Sequence, residues 1–578
     1  TTTGSYNSAF GVNALGSNTT ASHNTAVGVQ ALYQNTTGDS NVAVGRNAGV
    51  NITTGHENVA IGAYSLDALT TGNDQVAVGY AALGALTTGA RCTAVGYGAG
   101  ANATTSNNNV LMGYDAGVQI TTGSANVAIG VYALDAATTN GANVAIGYQT
   151  LSADTGTYNV AVGYEALKVN TGTENVAVGG LALIANTGGN YNTAIGYAAL
   201  DANTTASHNT AVGQASLSSN TTGQYNTAVG RSALNANTTA SFNTAVGYNS
   251  LSANTTGDDN VAFGKDALLS NTTGSHNSAF GCESLDVVTT GSHNTALGKA
   301  ALGSNTTASD NTSIGSASLG ANTTGHSNTA VGRNALNANT TASYNVAVGH
   351  NALLAQTTGD NNVAVGRNAL YTSTTGTHNT AIGAAATLYY LTTGTYNSAL
   401  GVDAGQGITT GDNNLVLGKD AGRSSSPSGN ITTGSNIVCL GNNSITDLYC
   451  ADTSISSSDA RDKTDVEDFK YGLSWITELR PVTYRWDKRS WYGDDENPKG
   501  TPDGSKKGSR IHIGFLAQEA IEVEKKFGYG DKKDNMLIAN QDEDEADPSY
   551  GYKYERLVPV LVNAIKELKA ENDELRSL

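Results

Sequence analysis

Aromatic and basic residues recur at two fixed positions of this sequence and could bind a glycan. One position follows the glycine of a repeated pentad and includes Tyr80, Tyr97, Tyr114, Arg333 and Arg367. The other precedes the asparagine of the pentad and is rich in Tyr and His. Rings and cations at regular spacing could hold acidic or neutral glycans through many weak contacts. The same columns could instead form ladders that stiffen stacked strands and cover their backbone.

Metal and cofactor chemistry is not predicted. His276 and His293 lie one repeat apart, but neutral imidazoles stack, and the sequence places no carboxylate or thiol beside them that would complete a zinc site. The calcium-binding repeat motif is absent, and the turn aspartates are ordinary turn formers. The four cysteines match no metal spacing: Cys92, Cys282, Cys439 and Cys450.

The net charge excludes two kinds of partner. At −18, the chain exerts no long-range attraction on nucleic acid or on an anionic membrane. It contains neither an apolar run long enough to span a bilayer nor a signal peptide. The first residues fall in the middle of a repeat, so we expect a further N-terminal segment that attaches the chain to a larger assembly.

The repeat predicts the fold class. The pentad Asn-(Thr/Val/Ser)-Ala-(Val/Ile)-Gly occurs in 26 copies, nearly all 17 residues apart, up to Gly441. Its apolar runs are too short for helices, and Asn-Thr-Thr-Gly turns separate them. We therefore expect a mainly β solenoid in which each unit hydrogen-bonds to the next, about 120 Å long. The alanine column suits either the interior of the coil or a threefold axis between chains.

These pentads resemble the head repeat of YadA-like trimeric adhesins. The resemblance covers residues 1–441 and implies a left-handed parallel β-roll in which three chains lie side by side. The two faces of each strand are fairly apolar, and a single coil would leave apolar surface exposed, which also favours oligomerisation. The resemblance implies that the oligomer is a homotrimer.

A second kind of domain begins near residue 450. Residues 1–450 hold 10 Lys and Arg and 21 Asp and Glu, whereas the 128 residues that follow hold 20 and 27. All three tryptophans lie in this second part. Its apolar patterns indicate a small mixed α/β domain.

Four motifs of this part resemble the intramolecular chaperone domain of phage endosialidases and tail fibres. They are Ser458–Lys463, Tyr471–Trp486, Ile511–Glu519 and Tyr554–Leu568, and the resemblance covers residues 456–578. It implies a single-turnover self-cleavage in which Ser458 is the nucleophile, Lys463 is the general base, and the Ser457–Ser458 bond is cut. Three further residues match the family pattern, as supporting groups of the site or in salt-bridge or surface roles: Asp459, Arg461 and His512.

Helix geometry constrains the serine and lysine pair. Five residues along a helix correspond to about 140° of rotation, so Ser458 must lie on extended backbone before a helix that begins at Asp459. Lysine acts as a base only when burial lowers its pKa. Closure of a trimer could bury Lys463, so that cleavage would report assembly.

The last helix carries a short heptad pattern. Its spacing of 4, 3, 4 and 7 suits a three-stranded coiled coil, and a core-facing helix is the alternative. The residues of this seam are Leu557, Leu561, Ala564, Leu568 and Leu575.

Together these patterns predict three segments and a function. Residues 1–441 form the repeat shaft, 442–457 a linker with the cleavage junction, and 458–578 the self-processing chaperone domain. The resemblances imply an extracellular viral tail fibre that attaches to a host-surface glycan or protein receptor, and to other virion tail proteins through the expected N-terminal segment. A purely structural fibre or spacer is the alternative.

Overall fold

Nearly every repeat contains a strand of only three residues. The computed structural model describes residues 3–446, 466–492, 500–531, 535–541 and 550–578. Two compact units divide the chain, one of residues 1–423 with 431–441 and the other of residues 424–430 with 442–578.

The first unit is a parallel β solenoid of 26 strands. Each strand pairs in parallel and in register with the next along the chain. The predicted fold class, a parallel solenoid of 17-residue repeats, is confirmed. The strands β1 to β26 are Ser8–Phe10, Thr25–Val27, Val42–Val44, Val59–Ile61, Val76–Val78, Thr93–Val95, Val110–Met112, Val127–Ile129, Val144–Ile146, Val160–Val162, Val176–Val178, Thr193–Ile195, Thr210–Val212, Thr227–Val229, Thr244–Val246, Val261–Phe263, Ser278–Phe280, Thr295–Leu297, Thr312–Ile314, Thr329–Val331, Val346–Val348, Val363–Arg367, Thr380–Ala385, Ser398–Leu400, Leu415–Leu417 and Val438–Leu440.

The alanine of the pentad points into the coil. Ala211 and its equivalents are fully buried, whereas the residues on either side of them in the strand are half-buried or exposed. This settles the alternative left open by the sequence, because the alanine column lines the interior of a single chain. Each strand ends at a glycine such as Gly213, with φ +137°, where a Cβ would lie 2.5 Å from the carbonyl oxygen of Gly230 in the next layer. Only glycine fits that approach.

The pentad asparagines form a column that hydrogen-bonds to buried backbone groups of the interior. The amide of Asn209 donates to the carbonyl of Gly223 at 2.9 Å, and its Oδ1 accepts the backbone N–H of Asn226 at 2.9 Å. Nearly every layer repeats this pair of bonds. A buried backbone group without a partner would destabilise the fold, so the asparagine of the pentad is a structural requirement.

A leucine column fills the remaining interior. Leu234 and its equivalents are fully buried although their backbone is left-handed, with φ near 50°. Where glycine replaces this leucine, the neighbouring buried turn position often carries isoleucine. A Cβ on Gly49 would lie 2.8 Å from Cδ1 of Ile52, so the larger side chain occupies the vacated space.

The second unit is a small α/β domain. Helix α1 spans Leu473–Ile476, α2 Ala517–Lys526 and α3 Leu557–Ser577, and 3₁₀ turns lie at Arg489–Trp491 and Tyr554–Arg556. Strands β27 (Val482–Tyr484) and β28 (His512–Gly514) are antiparallel, as are β29 (Ala539–Gln541) and β30 (Tyr550–Tyr552). Its core surrounds the fully buried Trp475, whose ring stacks on Phe527 at 4.9 Å.

Candidate functional sites

The predicted cleavage residues cannot be placed. Ser457, Ser458, Asp459, Arg461 and Lys463 lie outside the described residues. Their geometry therefore stays a prediction. Of the residues expected to support the site, only His512 is described.

His512 lies on β28, where aromatic residues surround it. Its half-buried ring stacks on Tyr484 of β27 with centroids 5.6 Å apart, and Trp486 meets it edge-on at 6.2 Å. The backbone pairing of Tyr484 with His512 places the two rings on one face of the hairpin. This arrangement holds the imidazole in position.

Two polar contacts join helix α3 to the first residue of α1 and to the segment before it. Glu567 Oε2 accepts the backbone N–H of Leu473 at 2.5 Å, and Asn563 donates to the carbonyl of Phe469 at 2.6 Å. Charged hydrogen bonds at a helix start stabilise it. The first half of α3 is therefore part of the domain core.

The predicted heptad seam of α3 divides between two faces. Leu557 and Ala564 are buried in the domain, together with Val560, which the sequence pattern had not included. The other three seam residues are exposed, and Ile565, at 65% exposure, lies among them. An exposed apolar stripe therefore follows spacings of 4, 3 and 7 residues and consists of Leu561, Ile565, Leu568 and Leu575.

Tyr80, Tyr97 and Tyr114 form one continuous stack. Their centroids lie 5.1 and 5.2 Å apart, and their planes are within 10° of parallel. Tyr64 and Tyr132 meet the two ends edge-on. The faces of Tyr97 are thus covered by its neighbours, and a sugar could contact only its edge.

The second aromatic column also stacks, and it contains a contact that the sequence reading missed. Rings follow one another at 4.9 to 5.2 Å from Tyr191 to Phe242. His276 and His293 stack at 4.8 Å, and Asp259 Oδ2 lies 3.8 Å from Nδ1 of His276. A carboxylate does therefore accompany this pair, contrary to the sequence expectation. Asp259 occupies the same column one layer earlier, which is the signal that could have revealed it.

Within the described residues, no group of three or more His, Cys, Asp or Glu side chains could hold a metal ion. Stacked imidazoles also direct their nitrogens sideways and not toward one shared point.

Arg333 and Arg367 are exposed on the repeat surface, at the position after the bend glycine. No ion pair involves either of them among the contacts of the described residues. Arg46 and Arg231, at the same position in other layers, lie over tyrosine rings at 4.6 and 5.7 Å. The two unpaired arginines therefore remain available to an external anion.

An apolar column runs along the outside of the solenoid. The third residue of every strand from β1 to β26 is Val, Ile, Leu, Phe or Met. Their exposure reaches 36% for Val229, 54% for Phe263 and 78% for Phe10, and other members of the column, such as Val178, are half-buried. Monomeric proteins rarely expose a continuous apolar stripe of this length.

One family match bears on the C-terminal part. Residues 458–529 match the chaperone of endosialidase family. This confirms the resemblance predicted from the C-terminal motifs, over a shorter range than the sequence suggested. The match and the solenoid together fit a tail-fibre-like protein with a C-terminal chaperone domain. No curated protein and no solved structure matches the chain.

The chaperone of endosialidase match begins at Ser458, the predicted nucleophile, and it includes His512 and α2. Helix α3 and its exposed stripe lie beyond its end. None of the helices in the described ranges is long and apolar enough to cross a membrane.

Proposed function

We propose that the chain is the distal part of a trimeric viral tail fibre that attaches to host-surface glycans. Its C-terminal domain directs trimer formation and then releases itself by autoproteolysis before Ser458. The observation that carries this proposal is the chaperone of endosialidase match from Ser458 onward, immediately after a 26-strand solenoid and a short connecting segment. In a virion the fibre would be extracellular and would join other tail proteins.

The cleavage step needs only residues of the chain and water. Lys463 in its neutral form takes the hydroxyl proton of Ser458, and Oγ attacks the carbonyl carbon of Ser457. The C–N bond breaks as an ester forms, and the proton passes to the amine of Ser458. Water then hydrolyses the ester, which leaves a carboxylate on Ser457 and regenerates the Ser458 hydroxyl.

The outer apolar column supports the trimer. Side chains such as Ile195 and Val229 are partly exposed in a single chain, in a stripe about 120 Å long. Contact with two further copies would remove this stripe from water, at about 25 cal/mol per Å² of apolar surface. Nearly identical layers would also let the chains pair with a shift of one or more repeats, so this stripe alone does not fix their register.

The exposed stripe on α3 supports a role in setting that register. Leu561, Ile565, Leu568 and Leu575 follow coiled-coil spacing on the face that the domain leaves uncovered. Three such helices could associate before the shaft forms. Long parallel β repeats stack slowly, and their unpaired strand edges can pair in the wrong register. Helices that associate first and fix the register would therefore speed correct assembly of the shaft.

Receptor binding is supported by the free cations of the shaft. Arg333 and Arg367 are exposed without an acidic partner on an otherwise acidic protein. The edges of Tyr80, Tyr97 and Tyr114 could add contacts to sugar hydroxyls. Many weak contacts on three chains would give useful affinity through multivalency.

Denaturing electrophoresis and intact mass measurement test the cleavage step. Wild type should yield fragments 1–457 and 458–578, whereas Ser458→Ala and Lys463→Ala should remain full length. Ser457→Ala and Lys470→Ala are the matched controls and should cleave normally, because neither side chain takes part in the reaction. Full-length wild type, or cleavage of the Lys463→Ala variant at the wild-type rate, would refute the proposed dyad.

A purely structural shaft is the second candidate. The parallel stacking of Tyr80, Tyr97 and Tyr114 favours it, since such stacking stiffens a rod and hides the ring faces. Binding of the purified trimer to host cells separates the candidates: a structural spacer would show none.

A further inference from the structure

Five basic residues form a row with a period of two layers along the solenoid. The row occupies the position after the bend glycine and consists of Arg231, Lys265, Lys299, Arg333 and Arg367. All five are exposed. Because neighbouring strands lie about 4.8 Å apart and pair in register, the charges recur roughly every 10 Å.

The layers between these cations carry uncharged or titratable spacers. In chain order they are Tyr248, Cys282, Ser316 and His350. Like charges directly opposite on adjacent strands destabilise a sheet. Cations in alternate layers avoid that repulsion and still form a continuous positive line.

The last three cations of the row have no acidic partner among the described residues. Lys265 pairs with Asp266 at 2.9 Å, and Arg231 lies over Tyr248. Lys299, Arg333 and Arg367 make no ion pair in the part of the chain that the structure describes. Residue 300 is alanine, and Asn334 and Asn368 follow the two arginines.

The surrounding sequence reinforces this local charge. Residues 311–402 contain one carboxylate, Asp360, although the whole chain carries −18. Asp360 lies in a turn and accepts the backbone N–H of Ser343 at 2.7 Å, so it is already engaged. Asn351 donates to Asn368 and accepts from Asn334, both at 3.3 Å, and this line of amides runs beside the cations.

We propose that Lys299, Arg333 and Arg367 bind a linear acidic polysaccharide that lies along the fibre and carries its carboxylate or sulfate on alternate sugars. This rests on the proposed function, since it names the class of glycan that the shaft would bind. One sugar of an extended chain is about as long as one solenoid layer. An acid on every second sugar therefore meets a cation in every second layer, and the asparagine line offers hydrogen bonds to the hydroxyls between them.

Binding of defined polysaccharides to the purified trimer tests this. Hyaluronate presents carboxylates on alternate sugars, heparin presents dense sulfates, and dextran is neutral. We expect hyaluronate to bind, dextran not to bind, and K299Q/R333Q/R367Q to lose at least tenfold in affinity for hyaluronate. Binding of heparin without binding of hyaluronate would overturn the alternate-sugar spacing. The variant R46Q/R91Q/K168Q removes the same charge elsewhere and should bind as wild type does.

A displaced cation tests the spacing. R333Q/H350R moves one charge by a single layer without changing the total charge. The inference predicts a loss of hyaluronate binding like that of R333Q alone, whereas unchanged binding would overturn the spacing argument. Preference for duplex DNA over both glycans, or equal loss in the R46Q/R91Q/K168Q control, would also overturn it.

Host-cell binding separates this inference from the proposed function. A trimer that binds cells but neither acidic glycan refutes the site alone. A trimer that binds neither cells nor glycans refutes receptor attachment as a whole, and the inference with it.

Discussion

The side-chain amide of Asn170 donates a hydrogen bond to Oδ1 of Asp154 at 2.7 Å. Asn186 donates in turn to Asn170, and the same bond repeats in each following layer as far as Asn271. The ladder has a direction, because every amide points toward the N-terminal layer. Asp154 is the acceptor at its start, and its second oxygen is buried without a hydrogen-bond partner.

Asp154→Asn should stabilise the solenoid, and more so at neutral pH than in acid. Burial raises the pKa of Asp154 from 3.8 to about 7. Between these values the folded state holds a proton that the unfolded chain has released, so the free energy of unfolding falls as pH rises. The wild type should lose up to about 4 kcal/mol across this window, whereas the variant should not.

Thermal unfolding of both proteins at pH 4.5 and pH 7.5 measures this difference. Asp74→Asn changes an exposed turn carboxylate and serves as the control. If the unfolding midpoint of the variant equalled that of the wild type at both pH values, Asp154 would not be a neutral group in the folded state.

The sequence predicted the layers well and the corners poorly. Seventeen-residue spacing and the Asn-Ala-Gly pattern suffice for a parallel stack, because register follows from repetition. The left-handed backbone of Leu234 could not be foreseen, since leucine rarely adopts positive φ and only the hydrogen bonds to adjacent layers hold it there.

The C-terminal domain shows a different limit of sequence reasoning. The heptad pattern joined Leu557 and Leu561 in one seam, but α3 packs on its own domain and buries only the first of them. Spacing alone does not reveal which apolar face a neighbouring element will cover. The cleavage residues, by contrast, were predicted from a family motif and not from packing.

Asn209→Ala should destabilise the shaft by about 1–3 kcal/mol. The substitution leaves the N–H of Asn226 buried without its acceptor, at a cost of about 1–3 kcal/mol. The carbonyl of Gly223 loses one of its two donors and keeps the bond from Asn220 at 2.9 Å. Thermal unfolding should show a lower midpoint, and hydrogen exchange should rise in the adjoining layers. Gln224→Ala, at an exposed turn position, should leave both measurements unchanged.

Ile195→Asp combined with Val229→Asp should prevent lateral association of the shaft. Both side chains belong to the outer apolar column, and a buried unpaired carboxylate on each of three chains would oppose contact. Light scattering of the cleaved fibre should then give a smaller mass than for the wild type, or limited proteolysis should digest its shaft faster. Gln214→Asp with Gln224→Asp adds the same charge at exposed positions beside the column. If the first pair formed trimers as readily as this control, the column would not be the interface.

Glu524→Gln should weaken the chaperone domain and, through it, assembly. Glu524 is 1% exposed, and its two oxygens accept the backbone N–H groups of Leu537, Ile538 and Ala539 at 2.7 to 2.8 Å. Glutamine has one acceptor oxygen and would turn an NH₂ group toward a backbone donor, at a cost of about 2–4 kcal/mol. Hydrogen exchange at residues 537–539 should rise, and the yields of trimer and of cleaved fragment should fall together. Glu522→Gln, on the exposed face of the same helix, should change neither. If exchange rose while trimer yield stayed at the wild-type level, this domain would not direct assembly.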